Sequence, residues 1–189
     1  MEIMSTKKYK DDYEMVVTQD EQGREKMKPV YRGDYFEVSL DEKGLLQFRR
    51  SCFLLVAAIV VLHVSSGFIN NPGMYQFYIS LPYVFVYLPL FYLAWGVMYL
   101  PIEKREYRRD EIGLSFNRMN TASKFLLILF GMGVLGEIIF LLFFSVQGNG
   151  ALEYLYLSLE ALATVAAYFL MLLQKPILIK IITDQSSVE

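Results

Sequence analysis

The chain has 189 residues, of which 54% are apolar and 15% aromatic, with a formal net charge of -2. Its charges crowd into residues 1–50, 101–124 and the C-terminal end, and the intervening stretches, almost uncharged, are long enough to cross a bilayer. That segregation argues against a soluble domain, and with no single-sign basic patch no nucleic-acid partner is expected.

Residues 1–38 read as a cytoplasmic N-terminal segment. They mix charges with short β-prone pieces, YEMVVT, KPVYR and DYFEV, and QDEQGRE with Gly23 reads as a turn between the first two. A hairpin or a three-strand patch is expected there. Ser39-Leu-Asp-Glu42 has the capping-box pattern and predicts a juxtamembrane helix over 39–50 that runs into the first span. Arg49 and Arg50 then lie at headgroup level. The first apolar run begins only after about fifty mostly polar residues, so it is expected to remain as an anchor. The single cysteine, Cys52, reads as a small apolar filler near the start of that span and permits no intrachain disulfide.

Four spans are predicted, at 51–69, 77–99, 125–146 and 152–173. Each is close to the ~20 residues a helix needs to cross ~30 Å of hydrocarbon. Pro82 and Pro89 each remove a backbone donor and should bend the second span. Residues 101–124 form a cytoplasmic loop: Pro101 ends span two, a short charged helix follows, Gly113 breaks it, and Asn120 or Thr121 caps span three. Residues 174–189 are a cytoplasmic tail.

Direction comes from the connections. NNPGMYQ and QGNGA carry no Lys or Arg, whereas Lys43, Arg49, Arg50, Lys104, Arg105, Arg108, Arg109, Arg118, Lys124, Lys175 and Lys180 all fall on the other side. The positive-inside rule therefore puts both termini and the middle loop in the cytoplasm of a cell-membrane protein. Tyr75, Tyr78, Trp95, Tyr99, Tyr154 and Tyr156 lie near span ends, as an interfacial aromatic belt requires. Short outer connections make spans 1–2 and 3–4 antiparallel neighbours. The expected fold is an all-α membrane protein, a four-transmembrane-helix up-down bundle with a small N-terminal segment containing short β pieces.

Gly131, Gly133 and Gly136 spell G-x-G-x-x-G, the spacing of a dinucleotide-binding turn. That fingerprint needs a strand before it and a helix starting at its glycines. Here FLLILF and EIIFLLFF flank the glycines within one membrane-length run, so no nucleotide and no cofactor is expected. Close helix packing explains the glycines instead. Gly133, Gly136 and Glu137 share one helical face, and Gly67, Ala163 and Ala167 are further small packing positions.

Three ionisable groups lie deep within the spans: His63, Glu137 and Glu160. Counted at 1.5 Å per residue, each falls ~18 Å from the inner boundary. Such residues are costly in hydrocarbon and are functional candidates by default. Ser66, Tyr83 and Thr164 lie close enough to join them in a proton- or cation-binding site. The simpler account is that the groups hydrogen-bond across helices and fix register. On the cytoplasmic side, Arg49, Arg50, Lys104, Arg105, Arg108 and Arg109 are candidate contacts for anionic lipid or a partner. In the middle loop they alternate with Glu103, Glu106, Asp110 and Glu111, which is simpler to read as a solvated helix with internal salt pairs.

One histidine and one cysteine exclude a multi-His or Cys-rich zinc site, and no nucleophile or phosphate-loop motif is present. No metal is expected. The leading expectation is a non-enzymatic accessory, regulatory or scaffold subunit, with the lipid bilayer and a membrane-protein partner or a second copy of itself as partners. A small proton- or cation-coupled transporter or channel-like oligomer using His63, Glu137 and Glu160 comes second. A membrane-embedded lipid-acting enzyme comes third.

Overall fold

Asp41 opens the first long helix: its side chain accepts the Gly44 N–H at 2.8 Å, and α1 runs unbroken over Glu42–Ser66. A computed structural model of the protein describes residues 7–19, 24–103, 106–144 and 150–182. The N-cap is therefore two residues later than the Ser39 capping box predicted. Ser39 is drawn elsewhere, its N–H donating to the Leu178 carbonyl at 3.0 Å and its hydroxyl accepting the Leu178 N–H at 3.1 Å.

A 3₁₀ turn over Pro72–Tyr75 leads into α2, Phe77–Met98. The third helix, α3, covers Arg109–Phe143, and the fourth, α4, covers Gly150–Gln174. All four are long and apolar enough to cross a membrane. Gly113 does not break the third helix as expected. It starts a π turn over Gly113–Asn117 that continues into the span, with Asn120 and Thr121 inside the helix rather than capping it. The reason is a close approach: a Cβ on Gly113 would collide with the Tyr9 hydroxyl, so glycine here admits a side chain instead of ending a helix.

Packing follows the small residues. Gly96 brings α2 onto Met119 of α3, and Gly136 of α3 faces the Tyr78 carbonyl and Ile79 of α2. The Tyr78 carbonyl is the one that Pro82 deprives of its intrahelical donor. α2 therefore packs mainly on α3, α1 on α4 and α3 on α4, while the α1–α2 pair makes the lightest interface of the ring. Ile59, Leu93, Leu126, Phe130, Ala163, Ala167 and Leu170 fill the shared core, and Cys52 is a free thiol buried in it.

The strands gather where α1 begins, α2 gives way to α3, and α4 ends. β1 (Tyr13–Gln19) and β2 (Glu25–Tyr31) form an antiparallel hairpin in which Val17 faces Met27 and Met15 faces Pro29. β3 (Tyr35–Val38) does not extend that hairpin. It is the middle strand of a second sheet, between β4 (Tyr107–Arg108) and β5 (Ile179–Ile182). Part of the expected tail is thus a strand, and its Ile-Lys-Ile-Ile run is what ties the end of α4 to the segment before α1.

Candidate functional site

Among the described residues, the buried His63, Glu160, Glu137 and Glu153 fall into two clusters in the interior. The first joins α1 and α4 across the bundle: His63 Nδ1 lies 3.0 Å from Glu160 Oε1, and the Ser66 hydroxyl lies 2.5 Å from the same oxygen and 2.7 Å from the His63 carbonyl. His63 Nε2 lies 3.2 Å from the Tyr83 carbonyl of α2, and the Tyr83 hydroxyl donates to the His63 carbonyl at 3.1 Å. Both ring nitrogens therefore face acceptors. A neutral imidazole has one N–H and satisfies one of them; the doubly protonated ring satisfies both and pairs with an ionised Glu160. Phe130 meets the imidazole edge-on at 5.4 Å and Tyr83 lies at 4.2 Å between centroids, so the pair is sealed by aromatic rings. His63 and Ser66 are fully buried and Glu160 is 4% exposed. The Thr164 hydroxyl donates to the Glu160 carbonyl, within its own helix, and does not reach the cluster.

Glu137 stands apart from that cluster. It is fully buried, no N–H or hydroxyl donor among the described residues reaches its oxygens, and its neighbour within carboxyl-to-carboxyl hydrogen-bonding reach is Glu153. Glu153 is also fully buried; it accepts the Asn71 amide at 2.6 Å and the Gly73 N–H at 3.0 Å. The two carboxylates close over Gly73: a Cβ there would lie 2.6 Å from Glu137 Oε2, 3.0 Å from Glu153 Oε2 and 3.1 Å from Glu137 Oε1. Tyr156 is buried between the two clusters, within electrostatic reach of Glu160, Glu137 and Glu153, rather than part of the aromatic belt.

Glu153, Asn71 and Gly73 were missed from sequence. Counted along α4, Glu153 falls at the edge of the span, where a carboxylate normally meets water. The available signal was Asn70-Asn71-Pro72-Gly73, a turn sequence that folds back over the helix ends and buries them.

The small residues divide in the same way. Ala163 and Ala167 are fully buried, and a Cβ on Gly67 would meet the Tyr83 hydroxyl. Gly136 is tightly packed, with Ile79 Cγ1 and the Tyr78 carbonyl both 3.2 Å from its Cβ position, whereas around Gly133 that position has nothing within 4 Å. The whole G-x-G-x-x-G run lies inside α3, with helix on both sides.

At the strand-bearing end, Arg108 and Arg109 serve the protein's own structure. Arg108 lies over the Tyr13 and Tyr31 rings at 5.9 and 6.0 Å and near Asp110 and Glu111 at 3.6 and 3.8 Å. Arg109 pairs with Asp12 at 3.7 Å, and its N–H donates to the Tyr31 hydroxyl at 3.0 Å. Tyr13 donates to Asp110 at 2.9 Å; burial, then that hydrogen bond and the Asp110 charge, push its phenol up to about 12. Burial also raises Tyr31. Arg50 is exposed, Arg49 is half-buried, and Lys104 and Arg105 lie outside the described residues.

Comparison with protein-family models, with curated proteins and with solved structures finds no match.

Proposed function

We propose that this is a multi-pass membrane protein with both termini and the 101–124 segment in the cytoplasm. In this reading it works as a non-enzymatic accessory or regulatory subunit through its cytoplasmic β-hairpin. Orientation rests on the one-sided distribution of Lys and Arg. The observation that carries the partner reading is the hairpin's free face. Met15, Val17 and Met27 are 67%, 54% and 69% exposed, and the pairing register puts them on one side with Pro29. Among the described residues no further strand pairs with β1 or β2, and two strands alone are marginal in water. A strand from a partner's cytoplasmic segment fits the hairpin's edge, adding the third strand and covering the apolar side chains.

Purification in mild detergent tests this. A stoichiometric partner should accompany the wild-type chain, and Met15→Ser/Val17→Ser/Met27→Ser should lose it while the four helices remain folded. Retention of the partner by the triple variant, or a wild-type chain that purifies alone, would defeat the reading.

A second reading, a small proton- or cation-coupled transporter, draws support from the buried ionisable groups on α1, α3 and α4. It requires Glu137→Gln or Glu160→Gln to abolish ion-dependent uptake in liposomes, and normal uptake by both would exclude it.

A further inference from the structure

We propose that Glu137, Glu153 and Asn71 form a binding site for one hard divalent cation of the calcium class, under the 3₁₀ turn that joins α1 to α2. The argument begins with charge. Two carboxylates are fully buried together, and among the described residues neither pairs with a Lys, Arg or His. Two adjacent buried negative charges demand neutralisation. One proton shared between them engages one oxygen of each acid. That still leaves the second Glu137 oxygen and the Asn71 Oδ1 buried without a donor, and Asn71 itself is only 1% exposed. The oxygens of both carboxylates, with the Asn71 amide turned over, make a set that one cation satisfies more fully than one proton.

The chemistry of the set selects the ion. It is all oxygen, two carboxylates and a side-chain amide, which suits a hard cation and disfavours zinc or copper. A monovalent ion would leave one negative charge buried, and a divalent ion leaves none. Magnesium keeps several waters in a tight octahedron, whereas calcium accepts irregular oxygen shells at longer distances. The Asn71 amide can turn over to present Oδ1 to the ion, giving up its donation to Glu153 when the metal takes that carboxylate's charge.

Gly73 belongs to the same construction. Any side chain there would occupy the space onto which three carboxylate oxygens converge within 3.1 Å. In the orientation proposed above the turn faces the outside, where calcium sites commonly have dissociation constants of about 0.1–1 mM. The site does not rest on the partner reading, whose hairpin lies at the other end of the bundle.

The test uses the full chain in nanodiscs of zwitterionic lipid, stripped with chelator and dialysed against radiolabelled calcium. One calcium per chain should bind at concentrations up to about 10 mM, with magnesium competing weakly. Glu137→Gln/Glu153→Gln should lower affinity at least tenfold. Gly73→Ala should do the same with both charges intact, and circular dichroism on each variant separates lost binding from lost fold. Thermal unfolding of the wild type should rise with calcium, as for any ligand of the native state. No binding by the wild type, undiminished binding by the double variant, or a stability that follows pH and ignores calcium would each overturn the assignment. The last would mean that a shared proton holds the pair.

Discussion

Substituting His63 and Glu160 separately and together measures what the buried pair contributes. His63→Phe keeps an aromatic ring in the pocket and removes both donors; Glu160→Gln keeps the shape and removes the charge. The two side chains are 0% and 5% exposed and 3.0 Å apart. Removing one partner of a buried ion pair costs about 3–5 kcal/mol, because the other charge is left uncompensated. Ser66 still reaches Glu160 Oε1 after His63→Phe, and a hydrogen bond to a charged group returns about 1.5 kcal/mol of that. A coupling energy of about 2 kcal/mol is therefore expected from the double-mutant cycle, above the ~0.6 kcal/mol average for polar pairs within membrane helices. The assay is equilibrium unfolding in bicelles by denaturing detergent, followed by circular dichroism. Costs that simply add, with coupling at or below ~0.6 kcal/mol, would show that the contact does not act as a buried ion pair.

Gly133→Ala and Gly136→Ala, three residues apart, should move stability in opposite directions. The first places a methyl where nothing lies within 4 Å and gains about 1 kcal/mol of helix propensity. The second meets the Tyr78 carbonyl at 3.2 Å and should cost about 1–3 kcal/mol, read by the same unfolding assay. Asp41→Ala should cost about 1 kcal/mol by removing the α1 cap, and an unchanged stability in the same unfolding assay would contradict the cap assignment. The Tyr13 phenol ionises less readily folded than unfolded, so its contribution is full below pH ~10 and is lost as pH rises toward 12. Tyrosinate absorbance should show late-titrating groups, Tyr13→Phe should remove one of them, and an unchanged titration curve would contradict the contact with Asp110.

The helices were legible because hydrocarbon length and uninterrupted apolarity are properties of contiguous sequence. The strands beyond the hairpin were not. β3 pairs with residues 107–108 and 179–182, and nothing local in YFEV names partners so far away. Gly113 misled because a glycine that admits a neighbouring side chain and one that ends a helix look alike until Tyr9 is in place. His63 and Glu160 stood out as ionisable groups at matching depth, and the structure brings them together. Glu137 stood out for the same reason, yet its partner comes from the span edge, where depth-counting assigns no cost to a carboxylate. Burial there is made by the Asn71–Gly73 turn lying over it, a tertiary event. Arg108 and Arg109 read as surface charge for a partner, but the hairpin's own tyrosines and Asp12 take them up.

The crossing pattern on which the orientation rests is tested most directly by cysteine accessibility in intact cells. On a Cys52→Ala background, single cysteines at Asn70 and at Lys180, both exposed, are treated with a membrane-impermeant thiol reagent. Labelling at position 70 without lysis, and at position 180 only after it, is expected. The opposite pattern, or equal labelling of both in sealed cells, would contradict the account.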